Sequence, residues 1–142
     1  LKIFKKIYTK ACKRINEYEL LDEWSSYYLF LFNNKYHVDI LTHHWNGKRR
    51  IESCLKRLGI RKGIEYNEII KGKKKKVHYD FNIFIDDNPE MIFDIVEYPH
   101  KYLLLYNSPW NKSYDCKPYR NVYRVHNWQD IFEKIQQLKK LF

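Results

Sequence analysis

A chain of 142 residues with 44% hydrophobic and 18% aromatic side chains has the size of one compact domain and ample core material, which excludes a disordered tail or a disulfide-dependent miniature fold. Lys and Arg outnumber Asp and Glu by 27 to 17, for a net charge of +10. That field favours phosphate-bearing partners without ranking a small phosphate ester, a nucleic acid or an anionic assembly surface. No apolar run approaches the ~20 residues of a membrane-spanning helix. Cys12, Cys54 and Cys116 are odd in number and lack a C-x-x-C spacing. The expectation is therefore a reduced, cytoplasmic protein, with a mitochondrial or other organelle matrix as the alternative.

The first 16 residues carry six cations and no acid, interleaved with Ile3, Phe4, Ile7 and Ala11. That suits an amphipathic targeting helix or a basic surface helix of the domain itself. Leu20, Leu21, Trp24, Tyr27, Tyr28 and Leu31 recur at helical spacing, so a helix is expected from about Ala11 to Asn33, and residues 1–35 read as an N-terminal helical segment ahead of a core at 36–142. In that core a strand is expected from Tyr36 to Leu41, closing at Thr42, then a helix from Gly47 to Leu58 stopped by Gly59. A strand from Glu65 to Ile70 leads into the lysine-rich run 71–76, and Phe81 to Ile85 has the look of a buried strand with Asp86 and Asp87 at its end. Pro89 starts a short helix reaching about Val96, and Lys101 to Tyr106 is a further apolar run. Asn121 to Val125 forms a last strand, and Asn127 caps a closing helix whose apolar face is Trp128, Ile131, Phe132, Ile135 and Leu138. This alternation predicts an α/β domain with a parallel sheet.

Reactive groups in such sheets gather beyond the carboxyl ends of the strands. Thr42 and the pair Asp86-Asp87 are expected there. Adjacent carboxylates repel unless a cation compensates, and magnesium, which binds through one or two carboxylates, water and phosphate oxygens, suits them. The competing structural reading makes one of the two Asp a helix cap. His43-His44 reads as a loop or substrate-side pair, and Trp45, Trp110 and Tyr114 as candidate base-stacking groups or ordinary packing. Most of the lysine run reads as a solvated loop.

The stretch Phe84-Ile85-Asp86-Asp87-Asn88-Pro89-Glu90 resembles the fourth motif of haloacid-dehalogenase (HAD) phosphatases, and Asp39-Ile40-Leu41-Thr42 resembles the second. The segments Leu105-Tyr106-Asn107-Ser108-Pro109-Trp110-Asn111 and Val122 to Trp128 resemble the tail of the 5'(3')-deoxyribonucleotidases (cytosolic type C nucleotidases). The likeness runs from about Tyr36 to Leu138. It implies a HAD-like, Rossmannoid three-layer fold and a Mg2+-dependent 5'-nucleotidase, a phosphomonoesterase acting on deoxyribonucleoside monophosphates. Asp86 would be a magnesium ligand, with Asp87 beside it. Thr42 would bond a phosphoryl oxygen, Lys76 or, as the alternative, Lys75 would neutralise the phosphoryl group, and His43, Trp110 and Asn111 would face the nucleotide.

The same family attacks phosphorus with the first Asp of an Asp-x-Asp motif, and this sequence holds no Asp-x-Asp. The resemblance puts that motif and its strand ahead of Leu1, so the sheet is expected to lack its first strand. The rival expectation is a pseudoenzyme, a HAD-like structural or binding subunit of a larger, organellar or RNA-containing assembly, held by a polyanion or protein partner.

Overall fold

The computed structural model describes residues 2–5, 24–43 and 47–142, with residues 2–5 described as a strand only. Six strands, all parallel, form one sheet: β1 (Lys2–Lys5), β2 (His37–Thr42), β3 (Ile69–Lys71), β4 (Ile83–Asp86), β5 (Tyr102–Tyr106) and β6 (Val122–Val125). Their spatial order is β3-β2-β1-β4-β5-β6. The chain winds outward from β1 in one direction through β2 and β3, and in the other through β4, β5 and β6. Such a sheet has its switch point beside the central strand.

The expectation of a missing first strand is corrected here. Lys2–Lys5 pairs with both β2 and β4 and fills the centre of the sheet, because only a strand inserted there can satisfy the inward backbone edges of both neighbours. The same residues are therefore extended where a targeting or surface helix was expected. Residues 6–23, which carry the rest of that basic segment and the start of the helix expected from Ala11, lie outside the described residues, as do residues 44–46 with His44 and Trp45.

Among the described residues, four α-helices cover the sheet: α1 (Ser25–Lys35), α2 (Lys48–Arg57), α3 (Met91–Ile95) and α4 (Trp128–Leu138). Strand alternation divides the buried residues into two cores. Val38, Ile40, Ile83, Ile85 and Leu104 meet α1, α2 and α4, whereas Leu41, Phe84, Leu103 and Leu105 meet α3 on the other face. Helices on both faces explain why the inner strands are apolar on both sides. In α2, Ile51, Cys54 and Leu55 supply the buried stripe, and Gly59 ends the helix at φ 81°. In α4 the stripe is Trp128, Ile131, Ile135 and Leu138, and the Asn127 side chain accepts from the Asp130 amide at 2.9 Å. Trp128 ties α4 to α1: its Nε1 donates to Ser25 Oγ at 2.8 Å, and Tyr28 stacks on it with an interplanar angle of 3°.

The strand expected from Glu65 contracts to Ile69–Lys71. The Glu65 carboxylate accepts from the Arg61 amide at 2.7 Å and its guanidinium at 3.1 Å, and Gly63 has φ 82°, so this stretch is turned rather than extended. Local capping outcompetes the β propensity of the sequence.

Candidate phosphate and metal site

All six strands are parallel, so their carboxyl ends define one edge of the sheet. Asp39 of β2 and Phe84 of β4 both pair with Phe4 of β1. Three residues farther along each strand come Thr42 and Asp87, level with each other and two strand spacings apart, roughly 10 Å. Thr42 shares the parity of Val38 and Ile40, and Asp86 that of Phe84, so they leave the sheet toward opposite layers at the same edge. Thr42, Asp86 and Asp87 are all buried, and the Thr42 carbonyl accepts from the Gly72 amide at 2.8 Å.

Lys76 opens a single 3-10 turn, Lys76–His78, whose Val77 is buried in the α3-side core. The turn aims the ammonium along the sheet edge. Lys76 Nζ lies 2.5 Å from Asp86 Oδ2, with the two side chains 13% and 0% exposed. The other oxygen, Asp86 Oδ1, accepts from the Asn88 amide at 3.0 Å. In turn, Asn88 Oδ1 accepts from the Glu90 amide at 3.1 Å just ahead of α3. The side-chain bond nearest the start of that helix thus comes from Asn88, while Asp86 turns back on its own loop and onto Lys76.

Asp87 is held from the far side. Its carbonyl accepts from Asn111 Nδ2 at 2.8 Å and Trp110 Nε1 at 3.2 Å. Asn111 is wholly buried, and its amide also bonds the Tyr106 carbonyl at 2.8 Å and the Ser108 amide at 3.0 Å. Its observed work is to fix the loop after β5 against the loop after β4. Trp110 and Tyr114 are partly exposed. His43 is exposed, with Nε2 2.9 Å from the Lys74 carbonyl and its ring against Gly72. Lys76 and Asp86 are thus in direct contact, Asp87 and the Trp110-Asn111 pair meet through the backbone, and Thr42 and His43 stand across the edge on the β2 side.

Two residues escaped the sequence reading. Arg124 spreads its guanidinium over Asn107 Oδ1 (2.9 Å), Asn111 Oδ1 (3.0 Å) and the carbonyls of Asn111 (3.0 Å) and Tyr114 (2.5 Å). Lys101 donates to the carbonyls of Val77 and Tyr79, both at 2.7 Å, and burial pushes its ammonium below the ordinary lysine pKa. Each anchors a loop that carries a site residue. No spacing rule marks them, because their partners, backbone carbonyls and for Arg124 also the Asn107 and Asn111 side chains, are brought near only by folding.

Among the described residues no helix is long and apolar enough to cross a membrane. No known protein family and no curated protein sequence matches this chain.

Proposed function

We propose that this chain is a HAD-like domain of the 5'-nucleotidase type, which holds the phosphate of a nucleoside monophosphate beside magnesium at the carboxyl edge of its sheet. The observation that carries this reading is the contact of Lys76 with the buried Asp86 at the end of β4, one strand removed from the strand that ends in Thr42. Lys76, beside Asp86, would balance phosphoryl charge, and Thr42, reaching the same edge from the other layer, would donate to an oxygen of a phosphoryl group held between them.

Magnesium suits the donors of this edge. Asp86 and Asp87 supply hard oxygen ligands. The ion would then complete its shell from phosphate and water, as magnesium commonly does. When bound it would neutralise phosphoryl charge. The protein's own part is to orient the ester through Thr42 and Lys76, and to keep Asp87 in place through Asn111 and Trp110.

A specific observation favours a second, non-hydrolysing reading. Lys5 pairs with Ile85, the residue before Asp86, and the sequence following Lys5 reads Lys6-Ile7-Tyr8, with no Asp-x-Asp. Under this reading the domain binds a phosphate ester without cleaving it. Titration of the full chain with dTMP, with and without magnesium, tests the shared claim, and phosphate release from the same samples separates the two readings. Binding indifferent both to magnesium and to Asp86→Asn would defeat the proposal.

A further inference from the structure

The carboxyl edge continues past the phosphate site on both sides, and its two flanks differ in chemistry. On the β2–β3 flank, the first turn of α2 exposes Lys48, Arg49 and Arg50, and the loop after β3 exposes Lys73 and Lys74. The first turn of α2 contains no acid. Cations there oppose the positive end of the helix dipole, an arrangement that an external anion relieves. At the loop after β3 lies a shallow cavity of about 280 Å³ lined by His43, Gly72, Lys73 and Lys74. On the β4–β5 flank the surface is aromatic: Phe93 is 55% exposed, Trp110 43% and Tyr114 37%, with Phe93 and Tyr114 packed edge to face at 6.5 Å.

From β3 to β5 is four strand spacings, about 19 Å. That is longer than one mononucleotide. A row of cations followed by exposed rings is how proteins hold a single strand, with phosphates on the cations and bases on the rings. A duplex would offer its phosphates but keep its bases away from the rings.

We infer that this edge binds single-stranded nucleic acid, its backbone on the Arg49, Arg50 and Lys73 side and its bases on Phe93 and Trp110. The inference stands on the two flanks, and it does not require the domain to bind or cleave a mononucleotide.

The test is fluorescence anisotropy of the full chain with a labelled ten-nucleotide single strand, across a salt series in EDTA so that no metal-dependent binding contributes. Arg49, Arg50 and Lys73 are all exposed, so the triple variant R49Q/R50Q/K73Q is expected to fold. It should flatten the log affinity against log salt slope by about 2, since each lost phosphate contact on a single strand removes about 0.7, and weaken binding roughly tenfold at low salt. Phe93→Ser should weaken binding roughly tenfold with the slope unchanged, because stacking displaces no counterions. The control is R120Q/K139Q/K140Q, which removes the same charge from exposed positions where β6 begins and α4 ends, at the opposite edge. It should leave affinity within about twofold. Equal losses in the two triple variants would reduce the effect to net charge and overturn the inference. So would a duplex of the same length binding as tightly as the single strand, or no binding at low salt.

Discussion

The ammonium of Lys76 meets the carboxylate of Asp86 at 2.5 Å, in a contact that the protein almost wholly encloses. Removing one member of such a pair strands the other charge, at a cost of about 3–5 kcal/mol in buried settings. Lys76→Met is therefore expected to lower unfolding free energy by about 3 kcal/mol in urea. Adding Asp86→Asn should restore part of that loss, with a coupling of at least about 1 kcal/mol. A single-variant loss no larger than that of an exposed lysine, under about 0.5 kcal/mol, would show that the contact carries little energy.

Arg124 reaches three loop residues at once, and its planar fork is what lets it do so. Arg124→Lys keeps the charge but cannot span those acceptors. Thermal melts should show a loss of about 1–3 kcal/mol, and Trp110 emission should shift to the red as its loop loosens. Asn111→Ala should do the same, and the double variant should lose less than the sum because both act on one network. Strict additivity would argue that the two residues work separately.

Gly72 has a role that chain flexibility does not explain. A Cβ at this position would overlap His43 Cδ2 and Nε2, so Gly72→Ala must expel the imidazole from its place against the Lys74 carbonyl. The expected cost is about 1 kcal/mol, one exposed hydrogen bond. Truncating the ring removes the clash, so His43→Ala should make Gly72→Ala nearly neutral. The cycle is read by chemical denaturation, and a clash-free Gly72→Ala alone would sink it.

Tyr66 is fully buried, and its hydroxyl meets no hydrogen-bond partner among the described residues. Burial, reinforced by Glu52, Glu68 and Glu65, pushes the phenol well above its ordinary pKa of 10.0. The folded state therefore favours the neutral phenol, and the associated stability is intact below pH ~10 and declines as pH rises beyond it. Tyr66→Phe deletes an unsatisfied hydroxyl and should stabilise the protein by up to about 1 kcal/mol at pH 7. It should also blunt the loss of stability above pH 10. A destabilised variant with the same alkaline profile would mean that the hydroxyl has a partner.

Most elements of the core were legible from Tyr36 onward because each advertises itself locally, the strand expected from Glu65 being the exception. The apolar run before Asp86 and the Asn127 cap ahead of the Trp128 stripe reflect short-range physics, hydrophobic period and capping, that sequence carries directly. The clustering of Asp86, Asp87 and Thr42 at one edge also followed from parallel strands, since that topology sends every carboxyl end the same way. What the sequence could not disclose was the place of Lys2–Lys5. Four residues with two lysines have no strand signature, and their position comes from two neighbouring strands that need a partner between them. Nor could it disclose Arg124 and Lys101, whose acceptors lie on other loops. Composition and periodicity determined a basic α/β domain with a carboxylate pair at a strand end. The family resemblance pointed to Lys76, and only the tertiary structure decided that its ammonium meets Asp86 and which guanidinium braces the loop behind Asp87, because long-range hydrogen bonds depend on where loops end in space.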